Sequence, residues 1–126
     1  MLPLWIGLGG ALGAMSRAAV IKLYGALTDK HPWVSILIIN GIGSFLISFF
    51  VYSGSAINND LRQTVSTGFC GGFTTFSTFV AQTYKASEID LFTGLLGFIL
   101  NHVIGFGMCY AGYRAGSKLS SHYYYQ

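Results

Sequence analysis

Four apolar runs, each about the length needed to cross a bilayer, take up nearly the whole of this chain, and the joins between them are too short to fold alone. A spanning helix needs roughly 20 predominantly apolar residues. The runs extend from about Pro3 to Tyr24, Trp33 to Tyr52, Arg62 to Tyr84 and Leu91 to Tyr113. Polar turns separate them: Thr28-Asp29-Lys30-His31-Pro32, Ser53 to Asp60, and Lys85 to Asp90. Trp33 and Tyr52 stand where aromatic belts form at membrane–water boundaries. Only 9% of the 126 residues are charged, against about 25% in soluble domains. The expectation is one integral membrane domain over residues 1–126, an all-α membrane protein with four transmembrane helices at 3–24, 33–52, 62–84 and 91–113.

The third run departs from a plain lipid-facing helix. Gly68-Phe69-Cys70-Gly71-Gly72-Phe73-Thr74-Thr75-Phe76-Ser77-Thr78-Phe79 combines paired glycines with four hydroxyl residues between Thr74 and Thr78. Such residues weaken a helix. In hydrocarbon every backbone N–H and C=O must be paired, so a weakened helix persists only where protein or a polar cavity takes up the freed groups. A broken third helix lining a site is therefore expected.

Charge adds a statement about orientation. Four spans put both termini on one side of the membrane. Arg62, Arg114 and Lys118 then fall on the terminal side, Lys22, Lys30 and Lys85 on the other, and Arg17 within the membrane. Orientation follows the Lys/Arg asymmetry of short loops, and three against three leaves none. The simplest inference is dual topology, which makes an antiparallel homodimer available, with two broken helices meeting at its two-fold axis. The net charge of +3 is scattered and no basic run suggests nucleic acid. Cys70 and Cys109 lie in apolar runs without a CxxC or His/Cys cluster and read as buried free thiols. No Lys or Arg precedes the first apolar run, which reads as a membrane helix and not a removed signal peptide. The tail from Arg114 reads as short and polar, with its three tyrosines at the interface.

Polar residues at membrane depth are candidates for function, each with a structural alternative. Arg17 has no Asp or Glu within a span to pair with. It either makes a vestibule electropositive or snorkels and caps backbone carbonyls. The acidic residues Asp29, Asp60, Glu88 and Asp90 all read as loop residues, and the absence of a membrane carboxylate weighs against proton-coupled cation transport. Asn40 either holds helices together or presents an N–H donor to an anion. Phe76 and Phe79, three apart, share a helix face. They are either packing residues or present partly positive ring edges to an anion. Thr74, Thr75, Ser77 and Thr78 bond back to their own helix or line a polar path. At a break, carbonyls near Gly71 and Thr74 would be freed, and converging carbonyls at broken membrane helices commonly coordinate a cation. Gly9 and Gly13 form a small-residue frame for close helix packing. Asn101 and His102 on the fourth run lean structural. No nucleophile–base pair, phosphate loop or metal-ligand cluster is present, so no enzyme chemistry is expected.

Taken together, Gly10-Ala11-Leu12-Gly13-Ala14-Met15-Ser16-Arg17, Asn40-Gly41-Ile42-Gly43 and the Gly68–Phe79 stretch resemble the Fluc (CrcB) fluoride channel family in motif order, chain length and span number. The resemblance implies a dual-topology antiparallel homodimer with two narrow pores, through which fluoride leaves the cytoplasm passively and the cell is protected from fluoride toxicity. It implies a multi-pass protein of the cell inner (plasma) membrane whose partners are fluoride, the lipid bilayer and a second copy of itself. Carried over residue by residue, Gly71 and Thr74 would give backbone carbonyls to a structural sodium ion, Asn40 would be a pore donor, and Phe76 and Phe79 would meet fluoride with their ring edges. Ser77 and Thr78 would fall in a polar track, and Arg17 near the vestibule. On the fourth run Phe106 and Tyr110 stand where this family often has small hydroxyl residues, and no fourth-helix pore residue is assigned. Two rivals remain: a small dual-topology exporter of the multidrug type, and a structural membrane subunit.

Overall fold

A computed structural model describes residues 1–28 and 30–124, and Asp29, Tyr125 and Gln126 lie outside the described residues. The described chain is built from helices and turns with no strand. Helix α1 spans Leu2–Leu27 and α2 Trp33–Tyr52. The third region is composite: a short α3, Asn59–Gln63, runs into wider π-type turns over Thr64–Phe69 and then α4, Cys70–Phe73. Two extended residues follow before α5, Phe76–Ile89, and then α6, Leu91–Tyr124. By length and composition, three helices suffice to cross a membrane: Leu2–Leu27, Trp33–Tyr52 and the Leu91–Tyr123 part of α6. The third region is divided too finely to supply a fourth unbroken one.

Local chemistry explains the boundaries. Asn58 caps α3 by accepting from the Asp60 N–H at 2.8 Å. Asp90 caps α6, accepting from the backbone N–H groups of Phe92 and Thr93 at 3.2 and 2.9 Å and from the Thr93 hydroxyl at 2.6 Å. These bonds, the Thr93 hydroxyl first, hold the exposed Asp90 carboxyl below its ordinary pKa. Asp60 and Glu88, expected in loops, lie inside the exposed ends of α3 and α5, where a charge stays wet without interrupting the helix. Helix α6 continues past Tyr113, where the fourth span was expected to end, through the polar tail to Tyr124. Gly112 and Gly116, one turn apart, let it lie directly on the α2 backbone, where an added Cβ would overlap the carbonyls of Phe45 and Phe49.

Two seams organise the helices. Helix α2 packs mainly on α6, and α5 rests against α6 and α2. Helix α1 packs on the first half of the third region through interlocked glycines. A Cβ at Gly13 would overlap the Phe69 carbonyl, and one at Gly72 the Gly10 carbonyl. Small residues allow such backbone approach where lipid offers no hydrophobic drive to association. A small core joins the seams: Ile36, Ile39, Phe73 and Phe79, flanked by Val20, Ile21 and Phe69. Outside it, large apolar side chains such as Leu12, Met15, Phe92 and Val103 are exposed, which suits lipid and not water as the surrounding solvent.

Candidate functional site

The helical ladder stops at Phe73 and restarts at Phe76, and the residues between set up the site. Thr74 (φ −77°, ψ 160°) and Thr75 (φ −154°, ψ 119°) are extended. Thr74 closes the preceding helix: both its N–H and its hydroxyl donate to the Cys70 carbonyl, at 2.9 and 2.8 Å. Thr75 opens the next one, its Oγ1 accepting from the Thr78 N–H at 3.3 Å and donating to Thr78 Oγ1 at 3.1 Å. Two threonines therefore serve as stop and start where apolar side chains could do neither.

Polar residues of α1 and α2 take up the Thr75 N–H and the carbonyls of Thr74 and Thr75 at the interruption. In an unbroken helix the Thr75 N–H would go to the Gly71 carbonyl. Here it donates to Asn40 Oδ1 at 3.0 Å, while Asn40 Nδ2 donates to the Thr75 carbonyl at 3.3 Å. Gly71, exposed on the groove described below, is left with a carbonyl relieved of that partner. Arg17, half-buried, donates from Nη1 to the Thr74 carbonyl at 3.2 Å. Of its two sequence-level roles, this geometry is that of the carbonyl cap. Asn40 likewise acts as the brace between helices, and its second Nδ2 hydrogen reaches Asn101 Oδ1 at 3.5 Å. Gly43, one turn further along α2, lets the Thr74 methyl approach, since a Cβ there would overlap it.

An open groove of about 740 Å³ runs past the interruption. It brings together Asn40, Gly71, Thr74, Phe76 and Phe79, and leaves Ser77, Thr78 and Arg17 outside its lining. The two aromatic residues sit unequally. Phe79 is 5% exposed and Phe76 is 76% exposed, with ring centroids 6.1 Å apart. Phe79 is held by Phe98 in a stacked contact at 5.9 Å and by His102 edge-on at 5.6 Å. Thr78 is half-buried against Thr75, and Ser77 is exposed on the first turn of α5. Cys70 is buried, whereas Cys109, expected to be buried too, is exposed and lines the open groove.

Helix α6 contributes more to the groove than its apolar pattern suggests: Asn101, His102, Gly105, Phe106 and Cys109 all line it. The available signal was spacing, since Asn101, Gly105 and Cys109 repeat every four residues and share a helix face. His102 Nδ1 lies 2.8 Å from the Phe98 carbonyl, a contact that requires the proton on Nδ1. Among the described residues no three His, Cys, Asp or Glu side chains gather as metal ligands.

The family model described as CrcB-like protein, Camphor Resistance (CrcB), matches residues 4–113. A protein of Dehalococcoides mccartyi named fluoride-specific ion channel FluC is 36% identical over 92% of this chain and 92% of its own length. Proteins of the same name from Methanococcus maripaludis (39% identical, covering 86% of this chain and 90% of their own) and Deinococcus radiodurans (34%, covering 95% and 88%) are similar throughout. No solved structure matches the chain. The match spans the glycine seam, the interruption and the groove together, and the chain belongs to the CrcB-like family, whose relatives compared above are named as ion channels and not as enzymes.

Proposed function

We propose that this protein is a fluoride channel of the cell inner membrane that lets fluoride leave the cytoplasm passively and so protects against its toxicity. The observation that carries this is the interrupted third region, whose freed backbone is braced by Asn40 and Arg17 beside a groove containing Phe76 and Phe79. Fluoride is small and strongly hydrated, so a pore must replace lost water with donors yet bind weakly enough to release it. Asn40 contributes through its second Nδ2 hydrogen, whose bond to Asn101 is long enough, at 3.5 Å, to be shared with an anion. The ring edges of Phe76 and Phe79 add partial positive charge without a fixed cation. Thr78 Oγ1 accepts from Thr75, which leaves its own proton unspent, and Ser77 and Thr78 are proposed as hydroxyls that continue the path beyond the groove lining.

The same reading makes the working unit a dual-topology antiparallel homodimer. Its support is the even spread of Lys and Arg and the open groove, where Phe76 and Phe106 are each 76% exposed and a second copy would cover them. A structural sodium ion is proposed on the carbonyls of Gly71 and Thr74. The donor set fits: the Gly71 carbonyl has lost its helical partner, and the Thr74 carbonyl, with two lone pairs, has one left after Arg17. Bound there, sodium would satisfy carbonyls that hydrocarbon cannot and add positive potential near an anion path.

Purified protein in liposomes provides the test. Rapid fluoride efflux that excludes chloride and needs no pH gradient is expected; no efflux from folded protein would overturn the proposal. A multidrug-type exporter would instead need a proton gradient, and a structural subunit would pass nothing.

A further inference from the structure

Asn101 was not assigned to the path, yet the hydrogen-bond geometry gives its amide a definite direction. At the backbone, donor and acceptor are not interchangeable. The Thr75 N–H can only donate, so the Asn40 atom 3.0 Å from it must be Oδ1, and the atom 3.3 Å from the Thr75 carbonyl must be Nδ2. Nδ2 then faces Asn101 with a hydrogen, and the Asn101 atom 3.5 Å away must be Oδ1. The Asn101 Nδ2 group is thereby turned away from Asn40. It has no hydrogen-bond partner among the described residues and is not among their buried unpaired atoms, and its side chain lines the groove. Its neighbour His102 spends its Nδ1 proton on the Phe98 carbonyl.

From this orientation we infer that Asn101 is an anion-binding residue, an N–H donor on α6 that meets the permeating anion beside Phe79 and is aimed by Asn40. The inference rests on the channel reading above and adds to it a contact from the fourth helix. Backbone geometry at Thr75 sets Asn40, Asn40 sets Asn101, and the donor is presented already oriented, so little reorganisation is needed when the ion arrives.

The test separates donation from bracing by the order of three variants in the liposome efflux assay, with thermal unfolding in detergent alongside. Asn101→Asp keeps an acceptor for Asn40 and removes the N–H donors. Asn101→Ser keeps a small donor and is too short for Asn40, and Asn101→Ala keeps neither. Losing a hydrogen bond to a charged partner corresponds to a fall of roughly 10- to 100-fold. The expected flux order is wild type, then Ser, with Asp and Ala lowest, while the Asp variant unfolds closer to wild type than the Ala variant does. Flux in the Asp variant above that in the Ser variant would overturn the donor role in favour of the brace. Wild-type flux in all three would overturn the assignment while leaving the channel reading intact. Folded wild type that passes no fluoride would overturn both.

Discussion

Replacing Asn40 by Leu tests how the interruption is held, and its magnitude follows from the bonds. The substitution keeps volume and apolar character but removes the acceptor for the Thr75 N–H and the donor to the Thr75 carbonyl. Thr75 is only 7% exposed, so water reaches neither group easily. Leaving a buried polar group unpaired costs about 1–3 kcal/mol, or roughly 2–6 kcal/mol for the pair. Interhelical hydrogen bonds in membrane proteins average only about 0.6 kcal/mol, because chains unfolded in the membrane find other partners. We therefore expect a loss of about 2 kcal/mol, between these limits. Asn40→Asp retains the acceptor for Thr75 and should fall between Leu and wild type. Reversible unfolding of reconstituted protein in mixed micelles measures all three, with fluoride efflux as the functional readout. An Asn40→Leu variant within about 0.5 kcal/mol of wild type, the usual range for inconsequential substitutions, would refute the brace.

Three further outcomes follow from the same structure. Phe76→Ile removes the exposed ring edge and should abolish fluoride flux, with the oligomer intact by size-exclusion chromatography; unchanged flux removes the aromatic role. Gly13→Ala would place a Cβ 2.8 Å from the Phe73 nitrogen and overlapping the Phe69 carbonyl, an overpacking cost of about 1–3 kcal/mol, whereas Gly107→Ala, with nothing within 4 Å of the new Cβ, should leave the unfolding midpoint unchanged. Because the Asp90 carboxyl is held below its ordinary pKa, its cap is fully present above that pKa and lost as the pH falls through the lowered one. The acid-side decline in thermal midpoint should therefore be shallower in Asp90→Asn; an identical decline would assign the acid sensitivity elsewhere.

How far the site was legible in the sequence depends on what each residue answers to. Gly71, Thr74 and Thr75 announce trouble for a helix by their own propensities, so a weak point near them was readable without neighbours. Arg17 and Asn40 were readable as costly polar groups that must find partners, but two partners were open to each. The choice came from packing: α1 is drawn against the third region by Gly13 and Gly72, which brings Arg17 to the Thr74 carbonyl, and Gly43 brings α2 close enough for Asn40 to bracket Thr75. Asn101 was legible only as an amide in an apolar run, since its orientation is inherited from Asn40, 61 residues away.

The extent of the helices divides in the same way. Run length and the scarcity of charge by themselves determined a set of long apolar helices, because an uncharged stretch near 20 residues has few other stable states in lipid. Hydroxyl and glycine content by themselves determined where the third run would be weakest. Only the tertiary structure decided that α6 would continue to Tyr124, because Gly112 and Gly116 seat it on α2. It alone decided that the freed groups at Thr74 and Thr75 would be met by α1 and α2, since a backbone N–H or C=O takes as partner whichever side chain the packing brings within about 3 Å.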